Sequence, residues 1–385
     1  MSRAPFSFYE FFAGGGMARL GLGAAWDCAF ANDFDPVKAA TYRANFADAA
    51  AHFHEGDVWK LAGGDLPGRA DLAWASSPCQ DFSLAGARAG LAGGRSSAFF
   101  GFWRLIEGLA AEGRAPRTVV IENVSGLLTS HGGRDFAVLG EALAEQGYSF
   151  GALEIDAAAF LPQSRPRVFV IATSEPPATE LQGPSPFQTR AVQAAAAGLP
   201  PRLMDRWIWW RTSTPGIRNN DLATFLEPDE AVAWHPPERT ARWLSLMAPL
   251  HRARLEAAQA RGERVVGAVY RRMRIEAGVK VQRAEVRFDG LAGCLRTPRG
   301  GSSRQVIVVV EDGRVRTRLL APREAARLMG LPDSYRLPTA ATSALHVTGD
   351  GVVAPVVRWL AQEILETLLA DAPGLREARA AGGSR

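Results

Sequence analysis

The chain has 385 residues, 47% hydrophobic and 22% charged, with a net charge of +4. That length suggests two domains or one domain with an insertion, and the composition excludes a disordered, collagen-like or coiled-coil chain. No stretch approaches the roughly 18 apolar residues of a membrane span, and Glu10 interrupts Phe6 to Phe12, so no signal-peptide segment is read and a cytoplasmic location is expected. Cys28, Cys79 and Cys294 are too few and too scattered for a disulfide framework, and no Cys-x-x-Cys metal pair occurs. Charge is uneven along the chain. Residues 1 to 175 hold 14 Lys or Arg against 19 Asp or Glu, whereas residues 236 to 318 hold 18 against 8. A preference for Arg over Lys follows from a GC-rich genome, but clustering does not, and the pattern fits a polyanion-binding surface attached to a less basic domain.

Phe6 to Phe12 reads as a buried strand leading into Ala13-Gly14-Gly15-Gly16-Met17 and a helical pattern through Leu20 and Leu22. A glycine-rich turn at the end of a first strand lets a ligand approach the backbone at a helix N-terminus. The dinucleotide fingerprint fails because its third glycine position is Arg19, and no Gly-Lys-Ser/Thr phosphate loop occurs, so a ligand other than a pyrophosphate is favoured. The run Trp26 to Ala31 ends in Asn32-Asp33-Phe34-Asp35, where an acid suits ribose hydroxyls and an aromatic suits a base. Asp71 to Ala75 delivers Ser76-Ser77-Pro78-Cys79-Gln80-Asp81-Phe82-Ser83, which puts a cysteine just past a strand end. Ser97 to Leu109 places Phe99, Phe102, Trp103 and Ile106 at helical spacing. Thr118 to Ile121 delivers Glu122-Asn123-Val124, and Gln163-Ser164-Arg165-Pro166-Arg167 immediately precedes the strand Arg167 to Ile171. Such alternation implies an α/β chain with a doubly wound, mostly parallel sheet. A thiol, a carboxylic acid and two guanidinium groups are expected at one edge of it, and a positive group beside Cys79 would favour the reactive thiolate.

Six prolines between 176 and 201 predict a linker or domain edge, and 202 to 318 reads as Arg-rich and irregular with one strand-like run, Gln305 to Val310. Trp207-Ile208-Trp209-Trp210 is expected in the core of a small domain rather than as a base-stacking platform. Pro322 opens a helix ending near Gly330, and Pro355 opens another whose Val356, Leu360, Ile364 and Leu368 form one stripe. His131, His235, His251 and His346 lack ligand spacing, so no metal site is expected.

Taken together these motifs closely resemble the DNA (cytosine-5) methyltransferase family of bacterial or prophage type, in order from about residue 6 to 370. Phe11-Phe12-Ala13-Gly14-Gly15-Gly16 is similar to the family's first cofactor motif, Asp33-Phe34 to its pair for the ribose and adenine of S-adenosylmethionine, and Asp57-Val58 to its adenine-contacting pair. Pro78-Cys79-Gln80, Glu122-Asn123-Val124 and Gln163-x-Arg165-x-Arg167 resemble the catalytic motifs. Arg323 to Asp333 and Gly349-Asp350-Gly351-Val352-Val353 resemble the two C-terminal motifs. The resemblance implies that Cys79 attacks carbon 6 of cytosine, Glu122 supports ring nitrogen 3, Arg167 meets the exocyclic oxygen, Arg165 supports the adduct and thiolate, and Asn123 holds the loop around Cys79. It implies a cofactor site of Phe12 to Met17, Asp33, Phe34, Asp57, Val58, Pro78, Asp350, Gly351 and Val352. DNA contacts are expected from Gln80, Ser83, Arg271, Arg272, Arg274, Cys294, Arg296, Arg299, Gly300, Gly301 and Arg304. Cys294 stands where the family has Thr, and Asp350 where it has Asn.

The expectation is a Rossmann-like methyltransferase domain, residues 1–180 plus 319–385, with a smaller inserted target-recognition domain, 181–318. It would methylate carbon 5 of a flipped-out cytosine in a specific site of double-stranded DNA, as a monomer in the cytoplasm at the nucleoid. The resemblance leaves room for a cognate restriction endonuclease as a separate protein. Two rivals are a tRNA cytosine-5 methyltransferase, whose Cys-Phe-Thr signature is absent, and a catalytically silent DNA-binding regulator.

Overall fold

The computed structural model describes residues 5–77, 98–296 and 304–370. It divides into two compact units, the first formed by Met1–Ile155, Pro166–Pro215 and Val352–Arg385, the second by Asp156–Arg165 and Gly216–Gly351. Among the described residues no helix is long and apolar enough to cross a membrane.

The first unit is built on seven strands: β1 (Phe6–Phe11), β2 (Trp26–Asp33), β3 (Phe53–Glu55), β4 (Leu72–Ala75), β5 (Thr118–Val124), β6 (Ser149–Asp156) and β7 (Pro166–Thr173). Their order is β3-β2-β1-β4-β5-β7-β6. β1 pairs in parallel with β2 and β4, and β4 with β5, so four strands deliver their carboxyl ends to one rim on both sides of the switch between β1 and β4. β7 runs antiparallel to β5, so residues at its start stand opposite those at the end of β5. Continuous apolar runs suit strands covered on both faces, and β4 and most of β5 are buried throughout. Helices α1 (Met17–Leu22), α2 (Pro36–Asn45) and α3 (Ala98–Ala111) follow the pattern, α2 starting at Pro36 with Asp35 accepting from the Val37 and Lys38 N–H groups. Phe99, Phe102, Trp103 and Ile106 of α3 are all buried.

The second unit contains an antiparallel sheet in the order β11-β10-β8-β9, from β8 (Val265–Glu276), β9 (Val279–Arg287), β10 (Val306–Glu311) and β11 (Arg314–Leu319). Val306, Val308 and Val310 alternate towards a core shared with Trp243, Met247 and Leu255 of two helices, Pro237–Ser245 and Pro249–Gln259. β10 accompanies β8 only along Val265–Val269, whereas β9 accompanies it to Glu276. Residues 270–284 therefore form a two-stranded ribbon, closed by Ala277 and Gly278, both at positive φ as a two-residue hairpin turn requires.

Several sequence expectations change. The proline-rich segment is not a linker: Leu181, Phe187 and Val192 are buried in the first unit, and Phe187 meets Trp359 edge-on at 5.2 Å. Of the tryptophan cluster, Ile208 and Trp210 are buried in the larger unit, where Trp207 packs on Phe136 and Phe150 and Trp210 donates to the Ile171 carbonyl at 3.1 Å, whereas Trp209 is exposed. By compactness the first unit runs on through Pro166–Pro215 and resumes at Val352, with Asp156–Arg165 counted in the second. Among the described residues the region from 202 holds β8, β9 and β11 besides the expected strand β10, and the arginines of β8 and β9 disguise the alternation in the sequence. The last helix is also not uniform. A π turn at Ala361–Leu365 inserts one residue per turn, so the buried face passes from Ile364 to Leu369 instead of Leu368.

Candidate active site

The glycine turn is shaped by its backbone. Phe12 has φ 57, a conformation that is costly for an aromatic residue, and Gly14 and Gly16 have φ 57 and 80. The Ala13 N–H donates to the Asn32 carbonyl at 2.9 Å and the Gly14 N–H to Asp33 Oδ2 at 2.8 Å, so the end of β2 fixes the turn after β1. A Cβ on Gly14 would meet nothing within 4 Å, whereas one on Gly16 would overlap Phe46 and Tyr42. Gly14 thus leaves open space and Gly16 permits packing; Gly15 lies between them, and Met17 starts α1 buried.

Asp33 is buried, and that burial pushes its carboxyl above the usual range against the opposing pull of Lys38 and of the Asp35 and Gly14 N–H groups. Phe34 next to it is 69% exposed. Asp57 caps the turn Val58–Lys60 by accepting from the Trp59 N–H, while Val58 is buried beside Gly101 of α3, where a Cβ would come within 2.7 Å of it. Sequence reasoning missed the groups that hold these pieces. Asn32 Nδ2 donates to the His54 and Gly56 carbonyls, each at 2.9 Å, and Arg104 donates to Trp59 O at 2.8 Å and also to Leu61 O. No motif announced either one, since each serves carbonyls distant in sequence.

Further along the rim, Glu122 is 6% exposed and Arg167 Nε stands 3.1 Å from its Oε1. The antiparallel register explains the pair: Glu122 faces Phe169 and Val124 faces Arg167 across β5 and β7. Asn123 is buried, donates to Ser77 O at 3.2 Å and Ser77 Oγ at 3.3 Å, and accepts from the Val124 N–H. It therefore fixes the chain one residue before Pro78. Pro78, Cys79, Gln80 and Ser83 lie outside the described residues, as do Arg299, Gly300 and Gly301. Cys28 is no substitute nucleophile, because burial in β2 pushes its thiol up to about 12.

In the second unit Arg165 is buried. Its Nη1 donates to Leu295 O at 2.8 Å and lies 3.5 Å from Cys294 Sγ, and its Nη2 donates to Gly349 O and Gly351 O at 2.9 and 2.7 Å. Asp350, between those glycines, ends the helix Ala341–Asp350 with its side chain exposed, and Val352 is buried. Gln305 Oε1 accepts from Gly293 N at 3.1 Å while its Nε2 donates to Val269 O at 2.9 Å, tying both ends of the stretch 294–304 to β8. Arg296 is exposed and Arg304 donates to Thr342 Oγ1 at 2.7 Å. On the ribbon, Arg271 lies over the Trp243 ring at 4.8 Å. Arg272 and Arg274 share Glu285, with Arg274 Nε donating to its Oε1 at 2.6 Å.

The profile of the C-5 cytosine-specific DNA methylase family matches residues 6–366. Among curated relatives, the type II methyltransferase M.HhaI of Haemophilus parahaemolyticus is 25% identical over 364 residues, covering 94% of both chains. The type II methyltransferase M.NlaX of Neisseria lactamica is 26% identical over 369 residues, covering 95% of this chain and 98% of its own. Among solved structures, the Dnmt2 methyltransferase of S. pombe superposes with a TM-score of 0.60 at 16% identity, over 94% of this chain and 99% of that one, a likeness of fold.

Proposed function

Because the chain belongs to the C-5 cytosine-specific DNA methylase family, we propose that it transfers a methyl group from S-adenosylmethionine to carbon 5 of a flipped-out cytosine within a specific site of duplex DNA. The observation that carries the detailed reading is the Glu122–Arg167 pair at 3.1 Å on the sheet rim, with Asn123 anchoring Ser77 just before Pro78-Cys79-Gln80.

Carbon 5 of cytosine is a weak nucleophile. The Cys79 thiolate adds to carbon 6 and makes carbon 5 enamine-like, while Glu122 shares a proton with ring nitrogen 3 and Arg167 both orients Glu122 and meets the exocyclic oxygen. S-adenosylmethionine, when bound, supplies an electrophilic methyl group on a sulfonium centre. Loss of the carbon 5 proton then lets Cys79 leave. Its residues fit that cofactor: an exposed aromatic face at Phe34, a pinned acid at Asp33, and a turn at Gly14 with no side chain in the way. None of these atoms is reachable inside a duplex, so the base must be extruded at a cost of a few kcal/mol.

We assign target reading to the second unit through Arg271, Arg272, Arg274, Cys294, Arg296 and Arg304, where arginine suits both guanine edges and phosphates. Action as a monomer at the nucleoid, with any cognate restriction endonuclease a separate protein, completes the reading. Bisulfite sequencing of DNA, and in parallel of RNA, from cells expressing the chain tests it. Protected cytosines in one sequence context are expected with the wild type and none with Cys79→Ser. Protection of RNA alone, or of nothing, would overturn it in favour of an RNA methyltransferase or a silent DNA-binding regulator.

A further inference from the structure

Gln163 and Arg165 reach three separate segments of the second unit. Gln163 is fully buried; its Nε2 donates to Leu328 O at 2.6 Å and its Oε1 accepts from Leu295 N at 3.2 Å. Arg165 takes the carbonyl of that same Leu295 at 2.8 Å, and with its other terminal nitrogen the carbonyls of Gly349 and Gly351. Both backbone polar groups of Leu295 thus end on this pair of side chains, and one guanidinium spans from Leu295 to the two carbonyls flanking Asp350.

Buried backbone carbonyls must find donors. A guanidinium offers several in one rigid plane, whereas an ammonium concentrates its donors at a point. Because the plane is rigid, it cannot follow a displacement of Leu295 without changing its angle to Gly349 and Gly351, and their turn must move with it. Leu295 adjoins Arg296 of the proposed DNA-reading stretch, and Asp350-Gly351 belongs to the proposed cofactor turn.

We propose that Arg165 and Gln163 are a positioning pair that couples DNA contact at Cys294 and Arg296 to the geometry of the turn Gly349–Gly351, so that DNA and the cofactor or its product tighten each other's binding. The proposal rests on the methyltransferase reading above. Coupling of this kind is reciprocal and commonly amounts to roughly 5- to 150-fold in affinity. It also distinguishes the pair from purely structural hydrogen bonds, whose loss would lower stability or weaken both ligands without altering their interdependence.

Calorimetric titration of S-adenosylhomocysteine into the full chain, alone and complexed with a short duplex carrying the site found by bisulfite sequencing, measures the coupling. Roughly tenfold tighter binding with DNA is expected for the wild type. Arg165→Lys keeps the positive charge but not the span, and the ratio should fall below about threefold. Gln163→Met releases the Leu295 N–H, the Leu328 carbonyl and the Met329 sulfur but leaves Arg165 in place, should give an intermediate ratio, and serves if Arg165→Lys does not fold. A ratio of one in the wild type, or an unreduced ratio in either folded variant even with a lowered melting temperature, overturns the inference. A wild type that methylates its site with coupling untouched by the substitutions sinks this inference alone, whereas failure to methylate any DNA sinks the functional reading and the inference with it.

Discussion

In the first unit Glu122 is buried and held by Arg167 across a strand pair, whereas in the second Arg272 and Arg274 stand about half exposed on a ribbon with a single acid, Glu285, between them. One region holds few charges in fixed geometry at the rim of a parallel sheet; the other displays many on an antiparallel hairpin that outruns its sheet. The difference separates two physical tasks. Covalent chemistry needs groups fixed to fractions of an ångström among neighbouring strand ends, while binding a polyanion needs charge density whose exact placement can adapt.

Breaking the first region should have the largest effect. Cys79→Ser should lower methyl transfer by roughly three orders of magnitude or more while leaving DNA affinity in place, since a neutral hydroxyl cannot replace the thiolate. A duplex with 5-fluorocytosine at the target should form a covalent adduct that peptide mapping assigns to Cys79; an adduct on Cys28 or Cys294 would refute the assignment.

Breaking the second region should leave the chemistry and weaken binding. The log-log salt dependence of DNA affinity should lose about 0.9 in slope for each of Arg271, Arg272 and Arg274 that meets a phosphate once replaced by Gln. An unchanged slope for the triple variant would make the ribbon ordinary solvated surface.

A subtler contrast lies behind the glycine turn. Glu10 is buried in β1, and that burial pushes its carboxyl up to about 8, against the Arg19 N–H that donates to it. The folded state then binds a proton that the unfolded chain releases near 4.5, so this stabilisation is full below about 4.5 and is lost as pH rises through about 8. Glu10→Gln should therefore melt higher than the wild type at pH 9, by an amount worth up to a few kcal/mol, with the gap closing towards pH 4.5. Differential scanning calorimetry across that range checks it; a gap independent of pH would show that Glu10 does not titrate there.

The smallest effect is expected at Asp350. A carboxylate about 5 Å from the sulfonium would contribute roughly 3 kcal/mol at an effective dielectric of 20 before desolvation, and its exposure reduces this further. Asp350→Asn should weaken S-adenosylmethionine severalfold more than S-adenosylhomocysteine, which lacks the sulfonium charge. Titration of both ligands into both proteins decides, and equal losses would mean the carboxylate faces solvent.

Much of the first unit was legible in the sequence because its strands are buried on both faces and their ends carry short local motifs: Phe6 to Phe12 followed by glycines, Thr118 to Ile121 followed by Glu122-Asn123. Each of those signals lies within a dozen residues, which is the range over which periodicity and turn chemistry act. Only the tertiary structure decided the antiparallel entry of β7 that sets Arg167 against Glu122, the holding of Ser77 by Asn123, and the joining of Leu295 to Gly349 and Gly351 through Arg165. It also decided the strands β8 and β9, whose exposed arginines carry no apolar alternation, and the placing of 181–215 in the larger unit. These depend on which buried carbonyl or carboxylate lacks a partner once the chain is packed. That demand arises from burial between segments far apart in sequence, so no local pattern encodes it.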